Sequence, residues 1–122
     1  FIEQMSAAYS VAEFAVCRAG AMTLSELMAA GLPAILIPFP FAAADHQYKN
    51  ALALAQKQAA LVIRDDEKLT ENLAKEFPRF INDEPTRNKM AKRMRSLYQK
   101  DTLLIMLKAL AELLTEKRRI IK

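Results

Sequence analysis

The 122-residue chain is of single-domain size, and 52% apolar and 26% charged residues with only 2 glycines and 5 prolines exclude disordered, collagen-like and disulfide-scaffold classes. Eighteen Lys and Arg against fourteen Asp and Glu leave a net charge of +4, which suits an acidic partner without identifying one. The excess is uneven: residues 1–61 carry three basic and four acidic side chains, residues 62–122 fifteen and ten.

Short β-prone runs alternate with longer helical ones, the pattern of parallel βα units. A helix over 4–12 precedes a first strand at 15–17, which Phe14 joins. A helix over 23–30 then ends at Gly31, where glycine suits a left-handed cap and Pro33 forbids continuation. A second strand spans 33–38, a helix 47–57, and a third strand 60–64. All three strands are nearly continuous in apolar residues, as expected when helices cover both faces of a parallel sheet.

After Arg64 the pattern is helical only. Leu69, Leu73 and Phe77 recur at helical spacing in a segment opened by Thr70, and Pro78 is expected to end or kink it. A helix over 86–99 follows, with Met90, Met94 and Leu97 as its apolar stripe and Arg87, Lys89, Lys92, Arg93 and Arg95 around the rest as a basic solvent face. Asp101 then caps a final helix over 102–119, with Leu103, Leu107, Leu110 and Leu114 on one face.

The fold class is therefore α/β: an incomplete Rossmann-like parallel sheet flanked by helices, ending in an all-helical segment. Three strands are too few for a complete doubly wound domain, so the remainder is expected upstream. Phe1 at the start, without a charged leader and apolar stretch, points to a fragment or processed chain. No apolar run nears the ~20 residues needed to span a bilayer. Cys17, the single cysteine, reads as a buried strand residue in a reducing compartment rather than a reactive thiol.

The informative stretch runs from Val16 to Pro38. A buried strand ends at Cys17, the small residues Ala19, Gly20 and Ala21 make a turn, and a helix starts near Met22 or Thr23. Backbone N–H groups at a helix start lack intrahelical partners, and the helix dipole favours an anion such as phosphate there. Open α/β sheets bind ligands at this carboxyl end of their strands. Two readings of the Thr23 and Glu26 pair stand: a capping box, or a carboxylate that accepts bonds from vicinal hydroxyls such as a ribose diol.

The second motif, Asp45-His-Gln-Tyr-Lys-Asn-Ala51, starts a helix on the same rim. Gln47 carries a donor and an acceptor on one amide, the kind of group that reads sugar hydroxyls. The alternative is a helix cap at Asp45 with its neighbours in solvent, and Asn50 could equally pin the loop backbone. His46, the only histidine, has no partners at metal-ligand spacing beyond Asp45. No Ser-His-Asp triad, Walker loop, GxGxxG or CxxC is present, so local catalysis has little support.

Together, Arg18-Ala-Gly-Ala-Met-Thr-Leu-Ser-Glu26, Ala29-Ala-Gly-Leu-Pro-Ala-Ile-Leu-Ile-Pro-Phe-Pro40 and Asp45-His-Gln-x-x-Asn-Ala51 resemble the C-terminal domain of the bacterial peptidoglycan N-acetylglucosaminyltransferases. These GT-B glycosyltransferases turn lipid I into lipid II. The resemblance runs from Phe1 through the third strand and, more loosely, to the last helix. It implies a partial nucleotide-sugar donor-binding domain over 1–122, with a βα core over 1–64 and helices over 65–122. Ile2 would lie beside the uracil through its backbone. Ala21, Met22 and Thr23 would present the helix start to the pyrophosphate, with Leu24 and Ser25 completing that turn. Glu26 would hold the ribose hydroxyls, and Gln47, with His46 as an optional helper, the N-acetylglucosamine hydroxyls.

The resemblance further implies UDP-N-acetylglucosamine as substrate, with no metal or other cofactor and no nucleic acid. Lipid I and the membrane surface, on the cytoplasmic face, would be met through an N-terminal domain that also carries the catalytic base. This chain alone is expected not to turn over. It departs from the family at Gln58, where glycine is usual, and at Asp101-Thr-Leu-Leu, where Asp-Ala-Ala is usual. The alternatives are another GT-B UDP-sugar transferase, a separate donor-binding subunit active only with an acceptor partner, and a noncatalytic binding module.

Overall fold

The computed structural model describes residues 4–41, 45–98 and 110–117. Within them lie α1 (Met5–Val11), β1 (Ala15–Cys17), α2 (Ala21–Ala30), β2 (Ala34–Leu36), α3 (His46–Gln56), β3 (Ala60–Val62), α4 (Leu69–Asn82) and α5 (Glu84–Leu97). Residues 110–117 are also helical; most of the final helix expected over 102–119, with its Asp101 cap, lies outside the described residues.

The strands form one parallel sheet in the order β1-β2-β3, with Ala15, Ala34 and Ala60 in one row and Cys17, Leu36 and Val62 two residues on. Alternation along the strands sends these rows to one face and the Val16, Ile35, Leu61 row to the other. On the first face Ala34, Leu36 and Ala60 pack with Leu24 and Leu27 of α2, Ala51 and Leu54 of α3, and Met94 of α5. On the second, Ile35 packs with Ile63 and Phe80, and Leu69, Leu73 and Phe77 of α4 close around them. Phe14 joins this layer through edge-on contacts with Phe77 and Phe80.

Burial corrects the first strand. β2, the central strand, is buried throughout, but Val16 of β1 is 40% exposed and Cys17 half-buried, because β1 pairs on one side only. That partial burial still pushes the Cys17 thiol above its ordinary value.

Helix ends follow local chemistry. Gly31 takes a left-handed conformation (φ 63°), and bonds from the N–H groups of Gly31 and Leu32 back to Leu27 and Met28 close α2. The same arrangement ends α3 at Gln58 (φ 57°), with Gln58 and Ala59 bonded back to Ala55 and Leu54.

Two expectations about the helical half are corrected. Pro78 does not end its helix: α4 runs on to Asn82. The carbonyl that Pro78 cannot bond is that of Ala74, and both residues line an open groove, while buried Phe80 holds the next turn to the sheet. Arg87 is not on a solvated face. It is 9% exposed and donates to the Phe80 and Ile81 carbonyls at the end of α4, with Glu13 3.8 Å away. The methionines also divide: Met94 serves the first core layer and Met90 the second, so α5 bridges both.

Candidate functional site

β1 ends at Cys17, and Arg18, Ala19 and Gly20 lead into α2 at the carboxyl end of the strands. Gly20 is the N-cap, in extended conformation and without a side-chain cap bond. α2 therefore starts at Ala21, earlier than the sequence pattern placed it. The Leu24 N–H bonds to the Gly20 carbonyl, so Ala21, Met22 and Thr23 are the first-turn residues whose N–H groups lack an intrahelical acceptor. Ala21 and Met22 are exposed, Thr23 and Ser25 half-buried. Leu24 is 5% exposed and turns its side chain into the core. Ile2 lies outside the described residues.

The earlier helix start removes the capping box. Thr23 sits inside the first turn rather than at the cap, and Glu26 is a full turn beyond. The exposed Glu26 carboxylate accepts instead from the Tyr9 hydroxyl on α1, Oη to Oε2 2.6 Å. Met22 and Glu26 are four residues apart and share a helix face, one turn apart along α2. Glu26 and Tyr9 also line a cleft of about 470 Å³ between α1 and α2. Burial, then the bond to Glu26, pushes the Tyr9 hydroxyl up to about 12.

Gln47 lies in the first turn of α3 and joins the two motifs. Its Oε1 accepts from the Ala19 N–H at 3.3 Å and the Phe39 N–H at 2.9 Å, tying the β1–α2 turn to the loop after β2. Its Nε2 faces Gly20: a Cβ built there would stand 3.8 Å away. With Oε1 so occupied, the Nε2 donors are what Gln47 has left to offer. Gln47 thus pins the loop backbone at Phe39. Asp45 gives α3 no side-chain cap; it adopts a left-handed backbone (φ 58°), and His46 is exposed.

A charged brace supports the rim from the third strand. Arg18 donates to Asp65 at 2.7 Å and to the Ile37 carbonyl at 3.3 Å, with its guanidinium 5.7 Å from the Phe39 ring centroid. One side chain thereby links the ends of all three strands. An exposed pair of this kind contributes at most about 1 kcal/mol, so its effect is mainly to fix the geometry of the loop that Gln47 holds.

Residues 1–104 match the glycosyltransferase family 28 C-terminal domain. The chain belongs to this family. Among relatives of this family 28 domain is the UDP-N-acetylglucosamine–N-acetylmuramyl-(pentapeptide) pyrophosphoryl-undecaprenol N-acetylglucosamine transferase of Nitrosococcus oceani, 46% identical over 99 residues, or 81% of this chain and 28% of the relative. The protein of the same name from Syntrophotalea carbinolica is 47% identical over 97 residues, 80% of this chain and 27% of the relative. The crystal structure of Acinetobacter baumannii MurG superposes with a TM-score of 0.79 at 34% identity, covering 92% of this chain and 32% of that one. The α/β fold is thus that of the MurG C-terminal domain, and the chain spans under a third of the length of these relatives.

Two further residues, which sequence reasoning did not single out, contact the residues of this rim. Tyr9 sits mid-helix in α1 with no motif around it, and only the packing of α1 on α2 brings it to Glu26. Asp65 follows β3 in the run Asp65-Asp66-Glu67, and only the parallel register selects it as the Arg18 partner.

Proposed function

We propose that this domain binds UDP-N-acetylglucosamine and serves as the donor half of the inverting transferase that adds N-acetylglucosamine to lipid I to make lipid II. The observation that carries this reading is the Gln47 bridge, which brings the open start of α2 and the start of α3 onto one rim, with Glu26 one turn above. The names of the relatives supply the sugar and the acceptor.

On this reading the pyrophosphate lies against the N–H groups of Ala21, Met22 and Thr23, where the positive end of the α2 dipole favours it. The Glu26 carboxylate accepts from the two ribose hydroxyls, which a carboxylate can do with both oxygens. Gln47 donates from Nε2 to sugar oxygens, Leu24 and Ser25 complete the turn, and Ile2 meets the uracil through its backbone. As the bond from sugar to UDP breaks, negative charge grows on the departing phosphate. The helix start is already oriented to stabilise that charge. On the same reading the acceptor hydroxyl is that of lipid I, and the base that takes its proton and the contact with the cytoplasmic face of the membrane are supplied by an N-terminal domain. No metal or other cofactor has a role in this scheme.

Ligand-observed NMR on the folded chain tests the proposal. UDP-N-acetylglucosamine should bind, UDP-glucose should compete only at about tenfold higher concentration, and Glu26→Ala should weaken binding by about tenfold or more. Equal competition by UDP-glucose would point to another GT-B sugar transferase, and a folded chain that binds neither would contradict the assignment.

A further inference from the structure

Among the described residues, Tyr9 touches Glu26 of the proposed nucleotide site and has no task in the scheme above. We propose that Tyr9 is a positioning residue for donor binding: its hydroxyl fixes one oxygen of the Glu26 carboxylate, so that the carboxylate meets the ribose diol in a single orientation. This rests on the reading that Glu26 takes the ribose hydroxyls.

The two partners differ in stiffness. The Tyr9 ring is half-buried and packed against the first core layer, which restricts the positions its hydroxyl can take. Glu26 projects from an exposed helix face and, among the described residues, forms no salt bridge and no side-chain hydrogen bond other than the one to Tyr9. A free glutamate loses rotamer freedom when a ligand orders it, and a partner that orders it beforehand removes part of that cost.

Acceptor capacity allows both contacts at once. An ionised carboxylate has about four lone-pair sites on two oxygens. Tyr9 takes one site on Oε2 at 2.6 Å, a short, charge-assisted bond, and leaves Oε1 and the second site on Oε2 for two hydroxyl donors. The cleft beside the pair is open, so a ligand can reach the carboxylate without displacing Tyr9. The hydroxyl is held protonated to about 12, so Tyr9 remains a donor throughout the neutral range.

The inference is tested with the full 122-residue chain as wild type, Tyr9→Phe, Glu26→Ala and the double variant. Affinity is measured for UDP-N-acetylglucosamine, for UDP and for 2′,3′-dideoxy-UDP, which lacks both ribose hydroxyls, alongside thermal melting. Tyr9→Phe keeps the ring and its packing. It should weaken the two ribose-bearing ligands about fivefold while leaving the melting temperature unchanged. The loss should vanish for the dideoxy ligand and in the Glu26→Ala background. Wild-type affinity in Tyr9→Phe together with weakened binding in Glu26→Ala would overturn the positioning role and leave the ribose assignment standing. Equal losses for all three ligands, or a lowered melting temperature, would make Tyr9 an ordinary structural contact and overturn it as well. Unweakened binding in Glu26→Ala, or no binding by the folded chain, would remove the ribose assignment and this inference with it.

Discussion

Gln58 holds a backbone conformation that suits glycine. Its φ of 57° closes α3 ahead of β3, and a side chain there crowds its own backbone. Gln58→Gly should therefore stabilise the protein by about 1 kcal/mol, measured as a higher urea midpoint with an unchanged slope. The sequence marked this position only as a departure from a family pattern; the φ value supplies its physical meaning. Asp83 is a second local case. It caps α5 by accepting from the Thr86 hydroxyl at 2.7 Å and the Thr86 N–H at 3.1 Å, and these bonds hold its carboxyl below the ordinary 3.8. A carboxyl lowered by folding stabilises above its unfolded pKa and loses that contribution as pH falls through the folded one. Asp83→Ala should thus lower the melting temperature at pH 7, and its gap to wild type should shrink as pH falls through and below the ordinary carboxylate range.

At the scale of the element, sequence pattern located segments better than their ends. β1, β2 and β3 fall where the apolar runs predict them; for β2, covered on both faces, burial demands an apolar residue at every position, whereas β1 keeps its apolar run with Val16 40% exposed. The start of α2 was placed late because Ala19, Gly20 and Ala21 read as one small-residue turn, whereas the extended Gly20 caps a helix that already begins at Ala21. Arg87 was read as solvated because its charge is visible in the sequence and its acceptors are not. The Phe80 and Ile81 carbonyls become available only where α4 ends against α5. α5 itself is held to the sheet layer by Met94, fully buried among Leu24, Leu27 and Leu36. Met94→Ala should cost about 2–5 kcal/mol in a denaturant melt, whereas Lys92→Ala on the exposed face should stay within about 0.5 kcal/mol.

For the molecule as a whole, topology explains which parts of the site could be read in advance. A parallel sheet places every strand-to-helix turn at one end, so the turn before α2 and the loop before α3 had to share a rim. Ala21, Met22, Thr23, Glu26 and Gln47 were accordingly legible as a group. What could not be read was how the rim is fastened. The Gln47 bridge, the Arg18–Asp65 brace and the Tyr9–Glu26 bond join residues 8 to 47 positions apart through tertiary packing alone. The exposed Val16 face of β1 and the groove between it and α4 lie on the layer behind this rim, away from the Gln47 bridge. The most direct measurement is therefore an ¹⁵N-HSQC titration of the folded chain with UDP-N-acetylglucosamine. Shifts concentrated at Ala19 to Glu26 and at Phe39 and Gln47, with Leu73 and Phe77 of α4 unmoved, are the predicted result. Shifts centred on the α4 groove, or none at the start of α2, would contradict the account.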